Sequence, residues 1–207
     1  MTNSHSADVV VVGSGVAGGL IAHQLALAGA SVILLEAGPR IPRWQIVENF
    51  RNSAAKADFA TPYPSTPYSP HPEYSPANGY LIQKGEYPYN SQYLRLVGGT
   101  TWHWAAAAWR LLPSDFKLKT LSGVGRDGPL PYEALEPWYF AAEVQLGVSG
   151  PDASVDLGSP RSKPYPMSQL PLSYMDQRFS DLLNPQGFKV VPEPVARNSR
   201  PYDARPT

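Results

Sequence analysis

The sequence predicts an α/β fold built on a parallel strand–helix–strand unit, and three observations carry that prediction. Asp8–Val12, with its four successive valines, has the composition of a strand buried on both faces of a parallel sheet. The glycine-rich turn Gly13-Ser14-Gly15-Val16-Ala17-Gly18 follows it at once. A second buried strand, Ser31–Glu36, then carries the apolar run Val32–Leu35 and ends on an acidic residue, Glu36. From Asp8 to Glu36 is 29 residues, the ordinary size of a βαβ unit. The fold class is Rossmann-like, and a single βαβ unit makes it an incomplete example.

The remaining elements follow in chain order. Gly19–Ala28 is expected to be the helix of the unit, with Leu20, Ile21 and Leu25 as its apolar stripe and Gly29 as its stop. Residues 39–90 form a long excursion in which only Trp44–Arg51 has helical character. The stretch Thr61–Pro76 holds six prolines and no sustained period, so it is expected to run extended or turned. Tyr63, Tyr68, Tyr74 and Tyr80 give this excursion large packing surfaces, which favours an ordered path over a linker. Tyr93–Val97 is expected to be a short strand leading into Gly98-Gly99-Thr100-Thr101, and Ala105–Trp109 to be helical or tightly packed. Tyr132–Leu146 is the second clear helix, entered through Pro131, stopped by Gly147, and carrying Leu135, Tyr139, Ala142 and Leu146 on one face. Ten prolines between Pro151 and Thr207 mark the rest as a connector. The domain expectation is accordingly residues 1–150 as one part and 151–207 as another.

Composition narrows the function classes. The chain has 207 residues, with 17 basic residues balanced by 17 acidic ones, so it lacks the basic excess of a nucleic-acid or anionic-membrane surface. The absence of cysteine excludes disulfides, thiolate metal sites and a thiol nucleophile from these residues. The longest apolar runs are too short to span a bilayer, and Met1–Asp8 lacks the pattern of an export signal. Proline, at 23 residues, is about double its usual share.

The chemistry lies in the glycine loop. Gly13 permits a tight turn, Gly15 lets a pyrophosphate approach the backbone, and Gly18 lets the helix sit close on the sheet. Backbone N–H groups from Ser14 to Ala17, including that of Val16, would face the phosphates with the helix dipole behind them. Glu36 stands 18 residues past Gly18, near the ~20 expected for an acid that accepts from ribose hydroxyls and repels a 2′-phosphate. The loop alone does not separate a flavin from a nicotinamide dinucleotide. Glu36-Ala37-Gly38 followed by the long excursion and a second glycine loop, Gly98-Gly99-Thr100-Thr101, favours the flavin.

The chain resembles the N-terminal part of the glucose–methanol–choline (GMC) family of FAD-dependent oxidoreductases. Within that family the likeness is to the large flavoprotein subunits of bacterial gluconate, fructose, sorbitol and FAD-dependent glucose dehydrogenases. It rests on Ala7–Gly15, Leu34–Arg40, Val97–Trp104, Leu112–Phe116, Tyr132–Tyr139 and Ala196–Asp203.

The resemblance implies an FAD site made of Gly13–Gly18, Glu36, Ala37, Gly38, Gly98, Gly99, Thr100, Thr101, His103 and Trp104. In the similar pyranose oxidases a histidine followed by tryptophan at this place is bonded to the flavin 8α carbon. Covalent attachment through His103 is therefore one expectation, and packing between Trp102 and Trp104 is the other. The implied reaction is oxidation of a sugar or polyol alcohol, with hydride passing to flavin N5. The catalytic base, a histidine in this family, and a cysteine-held iron–sulfur cluster are expected beyond Thr207, so no catalytic or metal-binding residue is assigned here and the chain reads as a truncated one. A small chaperone-like subunit, a cytochrome c subunit and the periplasmic side of the inner membrane are implied in the same way. Two rival readings are a non-catalytic dinucleotide-binding fragment and a nicotinamide-dependent dehydrogenase domain. His23 is expected toward solvent and His71 exposed. Trp44, Trp109 and Trp138 are expected to be core or interface anchors, and Asp115 and Glu136 to cap or orient backbone.

Overall fold

The structure, a computed structural model, describes residues 4–55, 62–72, 82, 84–87, 93–152 and 154–206. Tyr74 and Tyr80 of the excursion lie outside the described residues. The chain forms two compact units, Met1–Trp104 and Ala105–Thr207.

In the first unit, strand β1 (Val9–Val12) pairs in parallel with β2 (Val32–Leu35), Val9 opposite Val32 and Val12 opposite Leu35. Helix α1 (Val16–Leu27) connects them. It starts three residues earlier than the glycine pattern suggested. Gly15 is the extended N-cap, so the end of the glycine loop is the first helical turn. Gly29 stops the helix as expected, its N–H donating to the Ala26 carbonyl. The expectation of strands buried on both faces does not hold within the described residues. α1 covers one face, and on the other Val10, Leu35 and Val12, which is 81% exposed, are open to solvent. An all-apolar strand needs cover on both sides, and this two-stranded sheet receives it on one.

Helix α2 (Arg43–Asn52) follows and buries Ile46. In the proline stretch residues 62–72 are described: Ser69 and His71 are buried and Tyr63 is half-buried, but Tyr68, expected to offer a packing surface, is 94% exposed. Tyr93–Val97 is not a strand; it is an extended and turned segment whose Leu96 is almost wholly buried. Gly38 packs on the Arg95–Leu96 backbone so closely that a Cβ there would collide with it. The Val97 N–H donates to the Pro39 carbonyl at 3.1 Å.

In the second unit, Ala105–Trp109 is not helical: Ala106 takes a left-handed φ of +74° and Ala107 forms an antiparallel bridge with Val195. Helix α3 (Leu118–Ser122) is short; α4 (Tyr132–Leu146) has the bounds its periodicity indicated, with Gly147 beyond its end. Two short parallel strands, β3 (Ser149–Gly150) and β4 (Met167–Ser168), join Val195 at the buried centre with Val148 and Met167. Helix α5 (Tyr174–Leu183) lies in the segment expected to be a connector, and Ser173 caps it by accepting from the Asp176 N–H at 3.2 Å.

This unit crosses the boundary drawn at residue 150 because a buried ion network ties its two sides together. Glu143 on α4 accepts from Arg110 at 2.8 and 3.0 Å and from Arg161 at 2.8 and 2.7 Å. Glu136 accepts from Arg110 at 2.9 Å and from the Ser162 N–H at 3.1 Å. Asp115 caps backbone as expected, accepting from the Leu112 N–H at 2.7 Å.

Candidate functional site

A cleft of about 800 Å³ in the first unit opens over the glycine loop. Gly13 to Gly18, Glu36 and Ala37 line it on one side, and Gly99, Thr100 and Thr101 on the other. Three local facts explain why the loop takes this shape. Gly13 sits at φ +91°, a conformation L side chains rarely adopt. Gly18 lies against the Gly13 carbonyl, leaving no room for a Cβ. Gly15 differs from both, since its φ is −63° and a Cβ there would meet no protein atom within 4 Å. Among the described residues nothing requires glycine at position 15, and a Cβ there would fill space through which a group could approach the backbone.

The start of α1 has the matching chemistry. No side chain caps it and no acidic residue stands in its first turn, so its N–H groups and positive dipole end remain available to an anion. Ser14 turns away from this task. Its N–H and its hydroxyl donate to the same Glu36 oxygen at 2.9 and 2.6 Å, and its hydroxyl oxygen accepts from the Gly98 N–H at 3.0 Å. The Gly38 N–H donates to the other Glu36 oxygen at 2.8 Å. Burial works against charge on Glu36, but the hydrogen bonds from Ser14, Gly38 and Ala37 outweigh it and hold the carboxyl below its ordinary range. Glu36 is thus ionised, and it joins the two glycine loops through a serine hydroxyl. Glu36 also lines the cleft, where its negative charge favours hydroxyl donors over a phosphate.

The second loop brings Gly99 within contact of the first, a Cβ on it lying 3.7 Å from the Gly15 Cα. The Thr101 hydroxyl donates to the Gly98 carbonyl, and the Thr100 hydroxyl accepts from the Leu94 N–H at 3.4 Å. Gly38 and Gly98 brace the site without lining this cleft. His103 and Trp104 do not line it either. The His103 ring lies 6.1 Å from that of Tyr63, while the Trp102 indole N–H donates to the Val97 carbonyl at 2.9 Å. Tyr63 in turn donates its hydroxyl to the Trp102 carbonyl at 2.9 Å.

Three participants were not visible in sequence. Leu94 and Arg95 line the cleft, though no motif marks them. His71, expected to be exposed, is only 8% exposed and holds the excursion to the second loop's approach. Its Nδ1 accepts from the Arg95 N–H at 3.0 Å, so its Nε2 carries the hydrogen donated to the Tyr63 carbonyl at 2.8 Å. A lone histidine among prolines has no periodicity from which such a role could be read. His23 is exposed, as expected. Trp44, Trp109 and Trp138 are all largely exposed within the chain and are not core anchors, since each lies on a surface no described segment covers. Among the described residues no group of His, Cys, Asp and Glu is placed to hold a metal ion, and no helix is long and apolar enough to cross a membrane.

A parallel βαβ unit with a ligand-facing glycine, an uncapped helix start and an acid closing the second strand defines a Rossmann-like dinucleotide-binding fold. The family profile of NAD(P)-binding Rossmann-like domains matches residues 11–58. The chain is 50% identical to the fructose dehydrogenase large subunit of Gluconobacter japonicus over 97% of its own length and 38% of that protein's. It is 29% identical to 2-methyl-1,2-propanediol dehydrogenase of Mycolicibacterium austroafricanum and 25% identical to the gluconate 2-dehydrogenase flavoprotein of Pantoea cypripedii. Those matches cover 99% and 94% of this chain, and 36% of each relative. A crystal structure of a pyridoxine 4-oxidase shares the fold, with a TM-score of 0.52 at 20% identity over 94% of this chain and 37% of that one. The chain is thus similar over nearly its whole length to these oxidoreductases, and it spans well under half the length of these curated relatives.

Proposed function

We propose that the chain is the FAD-binding N-terminal portion of an oxidoreductase acting on CH–OH groups of sugars or polyols. The observation that carries this reading is Gly15, a glycine that the protein's own packing does not demand, set beside an uncapped helix start. Identity of 50% to a fructose dehydrogenase large subunit supports a sugar or polyol as substrate. In this reading the α1 N–H groups bind the pyrophosphate, Glu36 takes the ribose hydroxyls, and Gly99 to Thr101 close the opposite wall. A bound flavin supplies a two-electron acceptor for oxidation of the alcohol carbon. The chain's own contribution is to bind and orient it: the Ser14–Glu36–Gly98 bridge fixes the spacing of the loops, and Tyr63 holds the segment that presents His103.

Covalent attachment of the flavin through His103 belongs to the same proposal, as does assembly with a cytochrome c subunit and a small chaperone-like subunit on the periplasmic side of the inner membrane. The words "large subunit" in the relative's name support the assembly. An iron–sulfur cluster, for which these residues hold no cysteine, belongs to the same proposal.

The test is flavin binding by the full chain and its Gly15→Ala variant. A Cβ at position 15 meets open space, so the variant is expected to unfold at the same urea concentration as the parent yet lose FAD affinity. Equal FAD affinity in both proteins, or selective binding of NAD, overturns the reading. For His103, acid precipitation after reconstitution is decisive: all yellow colour in the supernatant excludes the covalent bond.

A further inference from the structure

Trp109 is 69% exposed, and it separates two clefts of the second unit, of about 460 and 490 Å³. Both volumes lie in the range of small-molecule sites. Val191, Pro192 and Glu193 line both clefts together with Trp109, so the four form one continuous ridge and floor. The ridge is firmly held. The Ala108 N–H donates to the Pro194 carbonyl at 2.9 Å, the Ala196 N–H donates to the Ala106 carbonyl at 2.8 Å, and Pro194 is wholly buried beneath them. A rigid backbone therefore presents a large indole surface that no described residue covers.

The charges around the indole define what it suits. Arg110 and Arg161 reach the first cleft, but both guanidinium groups are committed to Glu143, and Arg161 is also stacked 3.5 Å from the centre of the Tyr165 ring. Asp115 and Asp176 serve as caps for backbone N–H groups. Glu193 has no ion pair and no side-chain hydrogen bond among the described residues. The platform therefore combines an exposed indole with one uncommitted carboxylate and no uncommitted cation. An indole face stacks on the C–H-bearing face of a pyranose or an extended polyol, and a carboxylate accepts from adjacent hydroxyls. A sugar acid or sugar phosphate would meet Glu193 with like charge.

We propose that Trp109 and Glu193 form a carbohydrate-binding platform for neutral sugars and polyols, with sugar acids and sugar phosphates excluded by the Glu193 carboxylate. The ligand class rests on the sugar-or-polyol reading given above, while the platform itself requires no flavin. It makes the second unit a contributor to substrate selection and not merely a connector.

Saturation-transfer NMR on the full chain tests this with D-fructose, sorbitol and gluconate as probes. Fructose or sorbitol is expected to receive saturation, and gluconate is not. Trp109→Ala is expected to weaken neutral-sugar binding about fivefold or more, the loss of one aromatic contact, with Trp109→Phe retaining part of it. Glu193→Gln is expected to weaken neutral-sugar binding less and to admit gluconate. Both side chains are exposed, so unchanged urea midpoints verify that each variant folds. The platform is overturned if neither sugar binds, if Trp109→Ala binds them as the parent does, or if gluconate binds the parent equally well. Flavin binding measured on the same samples reads the proposed function separately: flavin retention without sugar binding rejects the platform alone, and sugar binding without flavin rejects the FAD reading alone.

Discussion

Ser14 and His71 show how single side chains assemble the dinucleotide cleft from segments far apart in sequence. Ser14 bridges Glu36, 22 positions away, and Gly98, 84 positions away. In Ser14→Ala the hydroxyl bridge is lost while the backbone bond from residue 14 to Glu36 survives. A hydrogen bond to a charged group contributes about 1.5–3 kcal/mol, so FAD titrations should show affinity reduced about tenfold or more, with Ser14→Thr intermediate. His71 uses both ring nitrogens in a site with almost no solvent access. His71→Ala leaves the Tyr63 carbonyl and the Arg95 N–H without partners, and a urea-unfolding series should show a loss of about 2–3 kcal/mol. The two residues differ in how far the sequence revealed them. Position 14 falls within a spaced glycine pattern, so its place in the site is legible, although its hydroxyl's link to Gly98 is not. Nothing in the sequence around His71 marks it, because its partners are backbone groups, and backbone groups leave no trace in residue identity.

Elements were legible where a run or a period exceeds about one helical turn or one strand. β1, β2 and α4 carry an unbroken apolar run or a sustained face, which places both strands to within one residue at each end and gives the bounds of α4. β3 and β4 are two residues each, shorter than any period, and become strands only through the partners they find. α5 did carry a signal, Ser173 followed three residues on by Asp176, which the surrounding prolines concealed. Ala105–Trp109 reads as helical by composition, but pairing with Val195 decides its state. The turn at Asp203–Ala204 is a further case of tertiary context overriding local preference. Tyr202 and Arg205 exchange backbone hydrogen bonds at 3.0 and 2.9 Å, with Asp203 at φ +49° and Ala204 at φ +58° between them. Both central residues are left-handed, the arrangement of a type I′ turn, which favours glycine at the second position. Ala204→Gly should therefore stabilise the second unit, by about 0.5–1 kcal/mol after glycine's greater freedom in the unfolded chain is counted. A rise in thermal midpoint of the variant checks this, and a fall would show that the alanine methyl makes a contact outweighing its strain.

At the scale of the whole molecule, a net charge of zero conceals an uneven arrangement, because each unit is organised around an ionised carboxylate. In the first unit it is Glu36, and in the second it is Glu143 flanked by Glu136. Burial disfavours the charge on Glu143, but hydrogen bonds from Arg161 and Arg110 outweigh it and lower its pKa. Arg110 shows the reciprocal effect: burial works against its charge, and its bonds to Glu143, Tyr132 and Glu136 hold its pKa above the usual value. Glu136 is pulled from 4.5 to about 2, chiefly by its bond from Arg110. The sign of the consequence is fixed by linkage. A carboxyl whose folded pKa lies below its unfolded pKa adds stability that is complete above pH 4.5 and is lost as the pH falls toward about 2. Glu36 and Glu143 shift in the same direction, so both units should weaken together in acid. Urea midpoints are expected to be level from neutral pH down to about 5 and to decline steeply below 4.5. Glu136→Gln separates the contributions. It removes a charge from the network, so the second unit should unfold at lower urea at pH 7, and it removes a titrating group, so its midpoint should fall less steeply in acid. A variant that loses stability at pH 7 but keeps the parent's full acid slope would show that Glu143 and Glu36, not Glu136, set the acid limit of the fold.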